Sequence, residues 1–142
     1  MIKTRGVNHV VLRISDVSRA SDFYGKLFGL EVVPFPVTDR ALTSKFREAV
    51  VSSKGIPLPT GGIWFAAGNT QLHLIASPGN TERTGSPWGP HLALEVEDFD
   101  ETRRTLEEAG VEFLEAPSGR GLGRQIWILD PDGNTVELRT EK

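Results

Sequence analysis

No cysteine occurs anywhere in the chain. That single absence excludes disulfides, thiolate metal ligands, thiol nucleophiles and CxxC redox chemistry. It also removes the usual mark of a small secreted scaffold, which makes a cytoplasmic location the expectation. Charge of one sign is equally scarce in excess. Sixteen Lys and Arg stand against nineteen Asp and Glu, a net charge of −3, from which no broad basic surface follows, and a nucleic-acid partner is not expected. Long apolar runs are missing too; nothing approaches a membrane span. The opening MIKTRGVNHVV lacks the apolar stretch and small-residue cleavage site of a signal peptide. Phosphate loops of the GxxxxGK[ST] type and nucleophile elbows of the GxSxG type are also absent. What remains is an ordinary globular composition, 38% hydrophobic and 25% charged over 142 residues, the size of one domain.

Hydrophobic periodicity divides the chain into two similar halves. VNHVVLRI (7–14) reads as a strand, followed by N-cap candidates Ser15, Asp16 and Ser18 and a helical face of Ala20, Phe23, Leu27 and Phe28 that Gly29 closes. LEVVPF (30–35) reads as a short strand, and its prolines place it at an edge or an end. Residues 37–61 read as a long loop with a short helix across 42–50. Ile63 to Ala67 and Gln71 to Ala76 form a hairpin about Gly68-Asn69. The Pro, Gly, Ser and Thr of 77–90 read as a linker. The order then starts again. HLALEVE (91–97) is a strand, Asp98 an N-cap, Phe99, Thr102, Leu106 and Ala109 a helical face, and Gly110 its end. Val111 to Glu115, Arg124 to Leu129 and Thr135 to Thr140 are strands, the last two joined by DPDGN. His9 and His91 open the two halves, with an aspartate seven residues after each, and GNTQLHL (68–74) echoes GNTVEL (133–138). An internal duplication of strand–helix–strand–strand–strand follows. The expected fold class is α+β: two βαβββ modules forming a cupped mixed sheet. One domain spans 1–142, with module 1 at about 5–77, the linker at 78–89 and module 2 at about 90–141.

The three histidines, His9, His73 and His91, all fall at repeat-related positions, and Glu137 occupies the place in the second half that His73 holds in the first. Side chains alternate across a strand. If these four face the cup, so do Val11, Arg13, Gln71, Ile75, Ala93, Glu95, Thr135 and Arg139. The opposite set is Val10, Leu12, Ile14, Leu72, Leu74, Leu92, Leu94, Val96, Val136 and Leu138, every one apolar as a helix-covered face requires. Three imidazoles and a carboxylate suit a borderline divalent ion such as Zn, Ni, Co, Mn or Fe. Arg13 and Arg139 share that face and could hold an anionic substrate. Arg124 reads as a solvated edge residue. Trp64 and Trp127 read as core, whereas Trp88, in the linker, reads as an interface residue or a pocket lid.

NHVVLRISDVSRASDFYGKLFGLEV (8–32), QLHLIA (71–76), PHLALEVEDFD (90–100) and LDPDGNTVEL (129–138) together resemble the vicinal oxygen chelate superfamily, which groups glyoxalases, bleomycin-resistance proteins and extradiol dioxygenases. The resemblance runs the length of the chain. It implies paired βαβββ modules with metal ligands on the first and last strand of each. His9, His91 and Glu137 then match a two-histidine, one-carboxylate set. His73 matches a fourth position that is glutamate in glyoxalase I, where it is also the proton-transfer base. The implied roles are therefore metal ligation by His9, His73, His91 and Glu137 and catalysis by His73 and Glu137; Arg13, Arg139 and Trp88 are the substrate-binding candidates that the residues themselves offer. The implied activity is that of a metal-dependent lyase or isomerase, ahead of a dioxygenase, acting on a small oxygenated molecule. The alternative within the resemblance is a metal-free protein that sequesters an antibiotic. A homodimer is expected because open edge strands call for a partner.

Overall fold

The computed structural model describes residues 1–34, 61–76, 89–117 and 123–140. The expected loop over 37–61 (save Gly61), its helix at 42–50, most of the 77–90 linker and Trp88 lie outside the described residues. The chain divides into two compact units, Met1–Thr81 and Glu82–Lys142.

In the first unit β1 (His9–Ile14) leads into α1 (Val17–Ser21). The Asp16 carboxylate starts that helix by accepting the Arg19 N–H at 2.7 Å, which satisfies one of its orphan donors. The expected single helix does not continue regularly. It widens into a π-helical stretch over Asp22–Leu27, where Tyr24 is fully buried and Phe23, Tyr24 and Phe28 pack against one another. Gly29, at φ +65°, ends it. Of the expected strand at 30–35, the described residues form one antiparallel bridge, Val32 to Phe65, held by Val33 N–H to the Trp64 carbonyl and Ala66 N–H to the Glu31 carbonyl. Strands β2 (Gly61–Ala67) and β3 (Thr70–Ala76) form the anticipated hairpin. Gly68 takes φ +61°, as the first turn residue of a type II′ hairpin requires.

The second unit repeats the scheme with β4 (Leu92–Glu95), α2 (Phe99–Glu108), β5 (Phe113–Pro117), β6 (Arg124–Leu129) and β7 (Thr135–Thr140). Asp98 caps α2 through the Glu101 N–H at 2.9 Å. Gly110 closes it in a Schellman arrangement, with Val111 N–H to Leu106 O and Gly110 N–H to Glu107 O. The sheet orders are β1-β3-β2 and β4-β7-β6-β5. In each, the first strand lies parallel to the last and the remaining pairs are antiparallel. The fold is thus α+β, as expected, with a mixed sheet of βαβββ type in each unit.

Alternation works as the apolar pattern requires. Ile14, Leu72, Leu74, Ile126, Val136 and Leu138 are essentially inaccessible, while His9, Val11 and Arg13 are exposed. Each buried Leu or Ile contributes about 1.5–3 kcal/mol of transfer free energy. The two aspartate caps carry a smaller share. Asp16→Ala and Asp98→Ala are each expected to cost about 1 kcal/mol, read as a lower urea midpoint at unchanged slope.

Candidate metal and substrate site

Glu137 sits on β7, a central strand covered on both faces, and is only 6% exposed. Its register partners are Ala93 on β4 and Trp127 on β6. His91 lies directly before β4 rather than within it. It still reaches the same face: its Nε2 is 3.1 Å from Glu137 Oε2, and its Nδ1 is 2.9 Å from the Gly89 carbonyl. A carbonyl can only accept, so Nδ1 carries a proton and donates it there. Nε2 of a neutral ring therefore offers a lone pair to a carboxylate oxygen. Two acceptors in that position repel unless a cation, a proton or a metal ion, lies between them. Anchoring one ring nitrogen on a backbone carbonyl while the other is free to ligate is the usual way a histidine ligand is oriented.

The first unit holds a pair of imidazoles. His9 Nδ1 is 2.8 Å from Asn8 Oδ1, and the His9 ring centre is 6.4 Å from that of His73. Parallel pairing puts His73 beside Val11, and antiparallel pairing puts it directly across from Trp64. The indole of Trp64 stacks on the His73 ring at 3.9 Å and 12°. Burial, and secondarily the charge of His9, pushes the His73 pKa below the ordinary imidazole value. His73 is thereby kept neutral at neutral pH, the form that ligates metals or accepts a proton. Gly62 provides room beside it: a Cβ there would stand 3.3 Å from His73 Nε2 and 2.9 Å from the Leu74 carbonyl oxygen. Gly62→Ala is expected to cost about 1–3 kcal/mol through that backbone clash, measurable by urea unfolding.

The candidate donors therefore come as two pairs, His9 with His73 in one unit and His91 with Glu137 in the other. Among the described residues, no three His, Asp or Glu side chains gather into one cluster.

Arg13 is exposed on the His9 face of β1. Arg139 follows Glu137 on its face of β7, and its Nε is buried with no hydrogen-bond partner, as is Thr135 Oγ1 on the other side of Glu137. Arg124 is not the solvated edge residue that the sequence suggests. It bonds Asp100 at 2.7 Å and Glu115 at 2.8 Å and lies 4.1 Å above the Phe99 ring, tying the start of α2 to β5 and β6. Its hydrogen bond to Asp100 holds that carboxyl below the usual carboxylate range. Trp64 and Trp127, expected in the core, are instead half-buried and share the histidine and glutamate faces. Hairpin register would have revealed this. A turn that pairs Ala67 with Thr70 also pairs Trp64 with His73, and one that pairs Leu129 with Thr135 pairs Trp127 with Glu137.

No helix among the described residues is long and apolar enough to cross a membrane. The sequence profile of the Glyoxalase/Bleomycin resistance protein/Dioxygenase superfamily matches residues 6–138. Glutathione transferase FosA of Serratia marcescens is 26% identical over 136 residues, covering 94% of this chain and 79% of that protein. A lactoylglutathione lyase of Pseudomonas aeruginosa is 24% identical, covering 92% of this chain and 80% of that protein. Among solved structures, the fosfomycin resistance protein FosX of Listeria monocytogenes, complexed with Mn(II) and 1S,2S-dihydroxypropylphosphonic acid, superposes with a TM-score of 0.70 at 22% identity. That match covers 99% of this chain and 95% of FosX.

Proposed function

The chain belongs to the glyoxalase/bleomycin resistance protein/dioxygenase superfamily, and on that premise we propose that it is a divalent-metal-dependent enzyme acting on a small oxygenated substrate. His9, His91 and Glu137 are the proposed ligands, and His73 is the fourth ligand or the proton-transfer base. The observation that carries this reading is the His91–Glu137 pair. A ring anchored at Nδ1 on Gly89, with Nε2 3.1 Å from a buried carboxylate, is an arrangement that a cation, a proton or a metal ion, completes. Nitrogen and carboxylate donors without thiolate suit Zn, Ni, Co, Mn or Fe. When bound, the ion supplies Lewis acidity that stabilises enolate or alkoxide charge as it develops on the substrate.

The chain's own residues do the remaining work. His73, neutral by burial, takes or returns a proton at a ring nitrogen. Arg139, with its unpartnered buried Nε, and Arg13 bind an anionic end of the substrate. The lactoylglutathione lyase and glutathione transferase among its relatives support an enzyme, and the Mn(II) bound in the similarly folded FosX supports a divalent ion. A lyase or isomerase is favoured over a dioxygenase because a fourth protein ligand leaves fewer open positions for both a chelating substrate and dioxygen. The test is elemental analysis of protein purified without added metal and again after reconstitution. About one equivalent per chain is expected; less than about a tenth in both preparations removes the enzyme reading and leaves the metal-free binder.

A further inference from the structure

Each unit carries one tryptophan on the face that bears its candidate donors, and the two occupy equivalent places. Trp64 stands directly across β2–β3 from His73, and Trp127 directly across β6–β7 from Glu137. Each also meets the histidine that opens its own unit. Trp64 meets His9 at 5.0 Å between ring centres and 61° between planes; Trp127 meets His91 at 4.8 Å and 77°. The two units share no residues, so the edge-on contact is made by a separate set of side chains in each. Core filling does not account for it. The opposite face supplies the core of these hairpins through Phe65, Ile126 and Ile128, all essentially inaccessible, whereas both tryptophans remain partly exposed.

An imidazole on a strand rotates about two side-chain bonds, and a ligand nitrogen must hold one direction. Each of these histidines is tethered at Nδ1, His9 at Asn8 and His91 at the Gly89 carbonyl. An indole against the ring removes the remaining rotation, with an edge-to-face contact worth about 0.5–1.5 kcal/mol. Its apolar surface also keeps water from one side of the ring, which strengthens a bond to a cation. We propose that Trp64 and Trp127 are a duplicated pair of positioning residues, each fixing the ring of the opening histidine in its own unit so that Nε2 is aimed for ligation. This rests on the metal-site reading above.

The experiment is Co(II) titration of the full chain, read by affinity and by the visible ligand-field spectrum, for wild type and for Trp64→Leu, Trp127→Leu, Trp64→Phe and Trp127→Phe. Each leucine variant is expected to bind about tenfold more weakly with an altered spectrum, the scale typical of an outer residue that orients a ligand. Each phenylalanine variant, which keeps an aromatic face, is expected within about threefold of wild type with the spectrum restored. Leucine variants with wild-type affinity and spectrum overturn the inference. Wild type that binds no Co(II) removes the metal reading and the inference together. If His91→Ala loses Co(II) while both leucine variants keep it, only the inference fails. Folding of the variants does not limit the test. NOEs from the His9 ring to Trp64 and from the His91 ring to Trp127 are expected in the metal-free wild-type protein, and their absence overturns the positioning role directly.

Discussion

Replacing His91 by alanine is expected to weaken divalent-metal binding about a hundredfold while the sheet of its unit stays folded. Structural zinc sites in zinc-finger peptides bind with about 10–16 kcal/mol, which over four ligands is about 3 kcal/mol per ligand. At about 1.4 kcal/mol per factor of ten, that is about two decades of affinity. Glu137→Gln keeps the shape of the buried side chain but withdraws its charge, and a drop of the same order is expected. The two changes should not add in the metal-free protein. His91→Ala strips a carboxylate that is 6% exposed of its one imidazole partner, and an uncompensated buried charge is costly. Neutralising that charge in the double variant His91→Ala/Glu137→Gln is expected to recover part of the lost stability, seen as a higher urea midpoint than His91→Ala alone. A double variant less stable than either single one would show that the pair does not interact through charge. Isothermal titration with Zn, Co and Mn measures the first effect, and urea unfolding measures the second.

Much of this arrangement is legible in the sequence because local chemistry specifies it. Asp16 and Asp98 each accept the N–H three residues on, and Gly29 and Gly110 each end a helix at positive φ, so both helices announce their limits in residue type. The run of Val10, Leu12 and Ile14 against His9, Val11 and Arg13 fixes which face of β1 is covered, because a strand has only two faces. What could not be read is set by tertiary packing. Burial of Tyr24 goes with a π-widened helix that no propensity favours. Only one bridge forms at Val32, because pairing there depends on a neighbour 33 residues away in sequence as well as on the local Val-Val pair. Arg124 looks like any edge arginine until Asp100, Glu115 and Phe99 are folded around it. The histidines and Glu137 were legible as candidates from their repeat-related places. The two indoles beside them were misread, although counting residues outward from each hairpin turn places both.

That counting makes the β6–β7 turn the point at which stability and site geometry meet, and Asp130→Ala is the substitution expected to disturb both most. The Asp130 carboxylate accepts from the Asp132 N–H at 2.9 Å, the Asn134 N–H at 2.8 Å and Asn134 Nδ2 at 2.8 Å, while being only 5% exposed itself. Gly133, at φ +84°, completes the reversal. Hydrogen bonds to a charged acceptor are worth about 1.5–3 kcal/mol each, and removing one partner strands buried N–H groups. Because the three bonds share one carboxylate they are not additive, and a loss of about 3–5 kcal/mol is expected. That is a large part of the roughly 5–15 kcal/mol by which domains of this size are stable. The turn also sets register. It pairs Leu129 with Thr135 and therefore Trp127 with Glu137, and a slip of one residue would turn Glu137 toward the helix-covered face. Metal affinity should consequently fall together with stability in Asp130→Ala, although Asp130 is not among the proposed ligands. Asp130→Asn keeps an oxygen for the two backbone N–H groups but loses the charge and the Asn134 side-chain bond, so about half of the stability loss is expected. Unfolding by urea, exchange of the Asp132 and Asn134 amides, and metal titration on the same three proteins test the coupling. A variant that loses stability at this turn yet binds metal as tightly as wild type would mean that the hairpin does not hold Glu137 in place.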